Sequence, residues 1–310
     1  MKRFLKGALL IFTCFFIIVY FLIPNVIKVG ATLLVPQPSG AISRALTSTQ
    51  DWGQWVPSHT MNKQIIELEN GNLRLKQSLL SSVDADYVFE AHTIPVTFFT
   101  TAKEKDTSYI AFEAFIDNRH VSPFDRIAAY YRSRKVKSQM SKLLTAAGNY
   151  YSKTESIYGC SILHERVKDS VLISTNYTYP DTPSMEAQYA LIHQLEQHIQ
   201  KNNGIIHGDP MVNITKIGEG AVFTQVAFPL AKSIPTTAGI QIKKMVLGNI
   251  LTVHVTGNAL KVKKAFQETE NYIHDRAIAS PAIPFIVYNT NRWLEKDENK
   301  WKSTIYYPIY

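Results

Sequence analysis

Between Lys6 and Lys28 lie 21 residues without a charge, and the stretch Ala8–Ile23 (ALLIFTCFFIIVYFLI) is apolar almost throughout. At about 1.5 Å per residue such a run makes roughly 30 Å of helix, the thickness of a hydrocarbon core. No polar stripe interrupts it, so it does not read as the amphipathic face of a globular helix. Lys2, Arg3 and Lys6 precede it. By the positive-inside tendency they hold the N-terminus in the cytoplasm and send residues 29–310 to the extracytoplasmic side, periplasm or cell surface. The stretch therefore predicts a single-pass transmembrane helix, with residues 7–27 in the bilayer. The competing reading is a cleaved signal peptide with Val29 and Ala31 as small-residue positions, against which the apolar core is longer than the usual, roughly 7–15 residues. Cys14 follows Ile11-Phe12-Thr13, a poor match to a lipoprotein site.

What remains, roughly 280 residues, exceeds one ordinary core and suffices for two domains. A hydrophobic content of 45% with 11% aromatics excludes disorder. Of the two cysteines, Cys14 lies in the apolar run, leaving Cys160 alone, so neither an intramolecular disulfide nor a cysteine metal site is available. The formal charge of +8 falls to +5 once the three N-terminal cations are set aside. Over such a length that is a mild bias, and for a chain outside the cytoplasm nucleic acid is not expected as a partner.

After the apolar run, Ala31–Val35 reads as a strand, Pro36-Gln37-Pro38-Ser39-Gly40 as a turn cluster, and Ala41 to about Thr47 as a short helix. Asp51-Trp52-Gly53-Gln54-Trp55-Val56-Pro57 follows, with Asp51 read as a cap or turn residue. Five segments to Asp117 (KQIIELEN, LRLKQSLL, YVFEAHTI, VTFFTTA, SYIAFEAFI) predict successive antiparallel strands. Ser122-Pro123 is a helix start, Ser as N-cap and Pro in the first turn. The helix it opens runs to about Tyr151, with Ile127, Tyr131, Met140, Leu143, Leu144 and Ala147 inward and Arg126, Arg132, Arg134, Lys135, Lys137 and Lys142 on the other, solvated face.

From Cys160 a strand–helix–strand–strand pattern occurs twice. The first copy has strand Val171–Tyr177, helix Met185–Lys201, and strands MVNIT and Phe223–Leu230. The second has strand Ile250–Val255, helix Ala259–Asp275, and strands FIVYN and Ser303–Ile309. Two such units imply a pseudo-twofold α+β domain with a ligand groove between the helices and over the joined sheet.

Two resemblances rest on these segments. Residues from Ala31 to about Tyr151, with DWGQWVP and a long closing helix headed by SPFDRI, resemble the START-like superfamily (SRPBCC, polyketide cyclase/dehydrase-like). That resemblance implies a helix-grip fold enclosing an apolar cavity. Residues 160–310 are similar to a GyrI-like bacterial effector-binding domain, on the paired repeat, the strand Pro284-Phe285-Ile286-Val287-Tyr288-Asn289 and the ending Trp301-Lys302-Ser303-Thr304-Ile305-Tyr306-Tyr307-Pro308-Ile309. The expected division is 1–28, 29–152 and 160–310. Where the resemblance implies glutamates that would neutralise a cationic ligand or assist hydrolysis, this chain carries Thr304 and Ile286, and Gln225 in the first repeat. No carboxylate is then foreseen to offset the desolvation of a cation, nor any general base. The candidate ligand-binding set is Tyr177, Gln225, Tyr288, Trp293, Thr304 and Tyr306, aromatics with polar helpers.

The chemistry of common enzymes is missing. His193 and His198 are five apart and do not share a helix face as metal ligands would, and there is no H-E-x-x-H, G-x-S-x-G, P-loop or Rossmann fingerprint. Gly218-Glu219-Gly220 reads as a hairpin turn, and His92 as a weak polar candidate facing the first cavity. No cofactor, metal or catalytic residue is expected. The leading expectation is a membrane-tethered, non-catalytic protein that binds an apolar or amphipathic small molecule. Its rivals are a hydrolase using Gln225, Thr304 and Tyr288, and a protein-docking module of the cell envelope.

Overall fold

The computed structural model describes residues 2–56, 61–62, 64–167, 171–218, 220–245, 247–280 and 282–310, and the side chains of 2–9, 11 and 61–62 fall outside that description. Pro57 of the tryptophan motif, Lys63 and Glu219 therefore lie outside the described residues. The chain divides into two compact units, Met1–Lys153 and Thr154–Tyr310. Each is a mixture of helices with one antiparallel sheet.

Unit 1 runs α1 (Lys2–Leu22), β1 (Val26–Val35), α2 (Ser39–Thr47), β2 (Met61–Asn62), β3 (Ile65–Leu68), β4 (Gly71–Ser78), β5 (Ser82–Phe89), β6 (His92–Glu104), β7 (Thr107–Asp117) and α3 (Pro123–Tyr151). Its sheet has the order β1-β7-β6-β5-β4-β3-β2. Among the described residues no helix is long and apolar enough to cross a membrane. The described residues thus lend the transmembrane expectation no support.

The capping motif folds as its chemistry dictates. Ser122 is extended, its hydroxyl accepts from the Asp125 amide, and Pro123 occupies the first turn. Two assignments on α3 are reversed. Tyr131, expected inward, is 62% exposed, and Arg126, expected on the solvated face, is 2% exposed. Arg126 reaches the end of α1, donating to the carbonyls of Tyr20 (3.4 Å) and Ile23 (3.0 Å) and to Asn25 Oδ1 (2.5 Å), with the Tyr20 ring 4.0 Å from its guanidinium carbon. Free carbonyls at a helix C-terminus carry partial negative charge, which is why a cation without a carboxylate is tolerated there. The segment YVFEAHTI, expected as one strand, is broken: Glu90 and Ala91 have positive φ (48° and 63°) and form a two-residue turn between β5 and β6. Neither residue type announces that turn, since Asn-Gly or Asp-Gly is its usual signature.

Aromatic rings form part of the core between α3 and the sheet. Trp52 is fully buried, donates from Nε1 to the Leu46 carbonyl (2.8 Å), and lies 5.0 Å from Trp55 and 5.5 Å from Phe98 between ring centres. Trp55 in turn meets Tyr151 of α3 at 5.8 Å. The tryptophan motif thus serves packing in this unit. Asp51 is a turn residue, accepting from Ser48 (2.6 Å) and Gln54 (3.3 Å).

Unit 2 runs α4 (Thr154–Tyr158), β8 (Leu163–Arg166), β9 (Val171–Tyr179), α5 (Met185–Lys201), β10 (Met211–Ile217), β11 (Ala221–Pro229), β12 (Ile240–Lys244), β13 (Asn249–Thr256), α6 (Ala259–Asp275), β14 (Phe285–Tyr288) and β15 (Lys302–Ile309). One eight-stranded sheet, ordered β12-β9-β11-β10-β14-β15-β13-β8, joins the two strand sets side by side. Both helices pack on one face. From α5, Tyr189, Ile192, Leu195 and Ile199 meet Ile173, Val212, Val226 and Tyr288. From α6, Val262 and Ala265 meet Val253 and Ile305. Because side chains alternate along a strand, Met211, Phe285, Val287, Thr304 and Tyr306 face the other way.

Candidate functional site

On that helix-free face of unit 2 lies a pocket of about 250 Å³, whose walls include Glu165, Arg166, Asp209, Asn289, Phe285 and Tyr306. It does not occupy the groove expected between the helices. On the opposite face the clusters under α5 and α6 both pack against Ile286.

Strand register builds the floor. Phe285 pairs with Tyr306 across β14 and β15, and their rings stack at 5.2 Å with 20° between planes. Two residue pairs further, on the same face, Val287 stands opposite Thr304, which stands opposite His254 on β13. Met211, Ile250 and Val287 add apolar wall. The polar rim comes from two places. Glu165 on the edge strand β8 is fixed by the Thr252 hydroxyl (2.9 Å). Asp209, just before β10, accepts from Asn289 Nδ2 (3.0 Å).

Thr304 connects this rim to the sheet. Its hydroxyl donates to Asn289 Oδ1 (2.7 Å) and sits 3.1 Å from His254 Nδ1. A hydroxyl has one hydrogen, and here Asn289 receives it, so His254 donates from Nδ1. The chain His254–Thr304–Asn289–Asp209 thus hands every donor toward the Asp209 carboxylate. The same direction of donation leaves Thr304 without a base, since His254 cannot take its proton while donating to it. Two carboxylates and one guanidinium, beside a stacked aromatic pair, suit recognition of an amphipathic molecule.

The six sequence candidates separate. Tyr306 lines the pocket, and Thr304 lies beneath it through Asn289. Gln225 shares the same sheet face on β11, opposite Asn176 and Asn213. Its Nε2 is buried with no hydrogen-bond partner among the described residues. Tyr288 belongs to the helix side: it donates to Gln188 Oε1 (2.7 Å), and the Arg292 guanidinium stands 3.6 Å over its ring. Burial pushes the Tyr288 hydroxyl up and the Arg292 guanidinium down. Trp293 lies beside Tyr189 (6.1 Å) on α5, and Tyr177 is exposed next to Tyr179 (4.7 Å).

Sequence reading missed Glu165, Asp209, Asn289 and His254. Glu165 sits on a four-residue strand whose side chains are all exposed, so no alternation marks it. Asp209 and Asn289 are 80 positions apart, and only strand pairing brings them together. His92, the weak candidate in unit 1, lies at the surface on a second pocket.

Comparison with known proteins adds likeness of structure. No family model matches the chain, and no curated protein does. Solved structures that it is similar to include EcmrR in complex with DNA (15% identity, 58% of this chain and 70% of that one, TM-score 0.45). Another is SAV2435 bound to tetraphenylphosphonium (14% identity, 48% of this chain, 94% of that one, TM-score 0.32). A third is the ZhuI aromatase/cyclase of Streptomyces sp. R1128 (9% identity, 40% and 93%, TM-score 0.27). The neighbours thus include GyrI-like effector-binding proteins and an aromatase/cyclase. The EcmrR structure is a DNA complex, and this overturns the expectation that nucleic acid is excluded as a partner. A mild net charge and an assumed compartment were too little to carry that exclusion.

Proposed function

We propose that this chain is a small-molecule-binding protein that captures an amphipathic ligand in the unit 2 pocket. The supporting observation is the Phe285–Tyr306 stack facing two fixed carboxylates, Glu165 and Asp209. Stacked rings favour a flat apolar body, and carboxylates favour a positive charge on it. As part of the same reading, residues 29–152 form a START-like domain, 160–310 a GyrI-like domain, and residues 1–28 a membrane tether with the remainder extracytoplasmic. The tether rests on the 21 uncharged residues between Lys6 and Lys28 and on the cations before them.

Isothermal titration of the full chain in a neutral maltoside detergent tests the binding reading. The probes are tetraphenylphosphonium, the ligand in the SAV2435 structure, and the smaller benzyltrimethylammonium. Saturable binding weakened by Asp209→Asn and Tyr306→Ala is expected. Failure of both probes and of a broad panel of amphipathic compounds sinks it. For the tether, release of the protein from membranes by alkaline carbonate is the refuting result.

A further inference from the structure

A second pocket, about 520 Å³, lies in unit 1 where β1 and β6 begin and β7 ends, beside α3. Its apolar wall includes Val26, Ile94 and Phe115. Its charged residues are Asp117, Arg119 and Arg132. Asp117 and Arg119 neutralise one another. The Arg119 side chain donates to both carboxylate oxygens (3.0 Å from Nε to each, 2.6 Å from Nη2 to Oδ2), and its backbone amide adds another bond (3.0 Å). Arg132 is different. It is half-buried in the pocket wall and makes no ion pair or hydrogen bond with any described residue. A partly desolvated guanidinium with five free donors is costly unless an acceptor arrives. His92 at the same wall supplies a further polar group. With Asp117 cancelled by Arg119, one uncompensated positive charge faces an apolar cleft.

We propose that this pocket binds an amphiphilic anion, with a phosphate or carboxylate head on Arg132 and an apolar tail along Val26, Ile94 and Phe115. The site lies in the other unit from the pocket discussed above and does not depend on that reading. A planar guanidinium matches such a head in bidentate fashion, and an ammonium does not. Hence Arg132→Lys keeps charge and loses geometry, whereas Arg132→Gln loses both.

The test is titration calorimetry of the full chain in neutral maltoside with hexyl phosphate, inorganic phosphate and hexyltrimethylammonium. Hexyl phosphate is expected to bind saturably, and the other two at least about tenfold more weakly, because each lacks the tail or the anionic head. Arg132→Gln should weaken hexyl phosphate by about tenfold or more, Arg132→Lys by less, and Arg134→Gln on the exposed face not at all. Native mass spectrometry separates the two sources of such a head. One phospholipid carried through purification and lost in Arg132→Gln identifies a bilayer lipid. Its absence, with hexyl phosphate binding intact, identifies a soluble anion. No binding of hexyl phosphate, or wild-type affinity in a folded Arg132→Gln, overturns the proposal.

Discussion

Replacing Thr304 by valine tests whether the buried hydroxyl positions the pocket rim or merely fills space. The two side chains are nearly isosteric, so the sheet should accept the change. Thr304 is 3% exposed, and its loss removes a 2.7 Å bond to Asn289 and a 3.1 Å bond from His254. Asn289 and His254 are both exposed, so water can take over their freed groups. The two lost bonds, whose exposed partners water can satisfy, together cost about 1–2 kcal/mol, and the extra buried methyl returns about 0.8 kcal/mol. Stability should therefore change by less than about 1 kcal/mol, a melting shift within about 4 °C for a unit of this size. Ligand affinity should respond more. Without Thr304, Asn289 must be ordered when ligand binds, at about 0.5–1.5 kcal/mol for one side chain, or roughly 2- to 12-fold in Kd for tetraphenylphosphonium. Thr304→Ser retains the hydroxyl and should restore affinity. Calorimetry and a melting curve on the same preparations decide the matter. Unchanged Kd in Thr304→Val refutes the positioning role, and a melting drop beyond about 5 °C shows that the hydroxyl holds the fold instead.

Three other outcomes follow from named contacts. Trp52→Ala empties a fully buried site and orphans the Leu46 carbonyl, so unit 1 should lose about 3–5 kcal/mol, read as an early calorimetric transition with unit 2 unmoved. The Arg119 side chain and amide hold the Asp117 carboxyl down to about 2, below its ordinary 3.8. The contribution of this pair is therefore complete above the ordinary value and is lost as pH falls toward 2, which a carboxyl-carbon NMR titration checks, with Arg119→Gln returning the midpoint upward. Burial first, then the Glu268 and Glu155 charges, push the Cys160 thiol up to about 11. Iodoacetamide at pH 8 should accordingly modify it far more slowly than a free thiol until the unit unfolds.

Much of the fold was legible because local chemistry and packing agree. Ser122-Pro123 announces α3 by supplying the cap and the first turn, and the apolar spacing of α5 and α6 matches one face against a sheet. The edge strands β8 and β12 were not foreseen. Each is four or five residues long, and β8 carries no buried side chain, so nothing in its pattern separates strand from loop. Arg126 reads as a surface cation because periodicity reports polarity, whereas its burial depends on where the carbonyls of a distant helix end. The pocket illustrates the same limit. Thr304 and Tyr306 stand in the ending segment, but the carboxylates at the pocket rim belong to Glu165 on β8 and Asp209 just before β10, whose adjacency no local pattern encodes.

The grip of Arg126 on the end of α1 has a consequence for orientation. Only three residues separate α1 from β1, and two of them are bonded to that guanidinium. The junction thus has no swivel, and unit 1 sets the direction in which α1 points. Whatever medium or partner receives this helix receives the domain at one fixed tilt, like a bracket and not a leash. Transplanting α1 onto another protein would lose that aim unless Tyr20, Ile23, Asn25 and an arginine to hold them went with it.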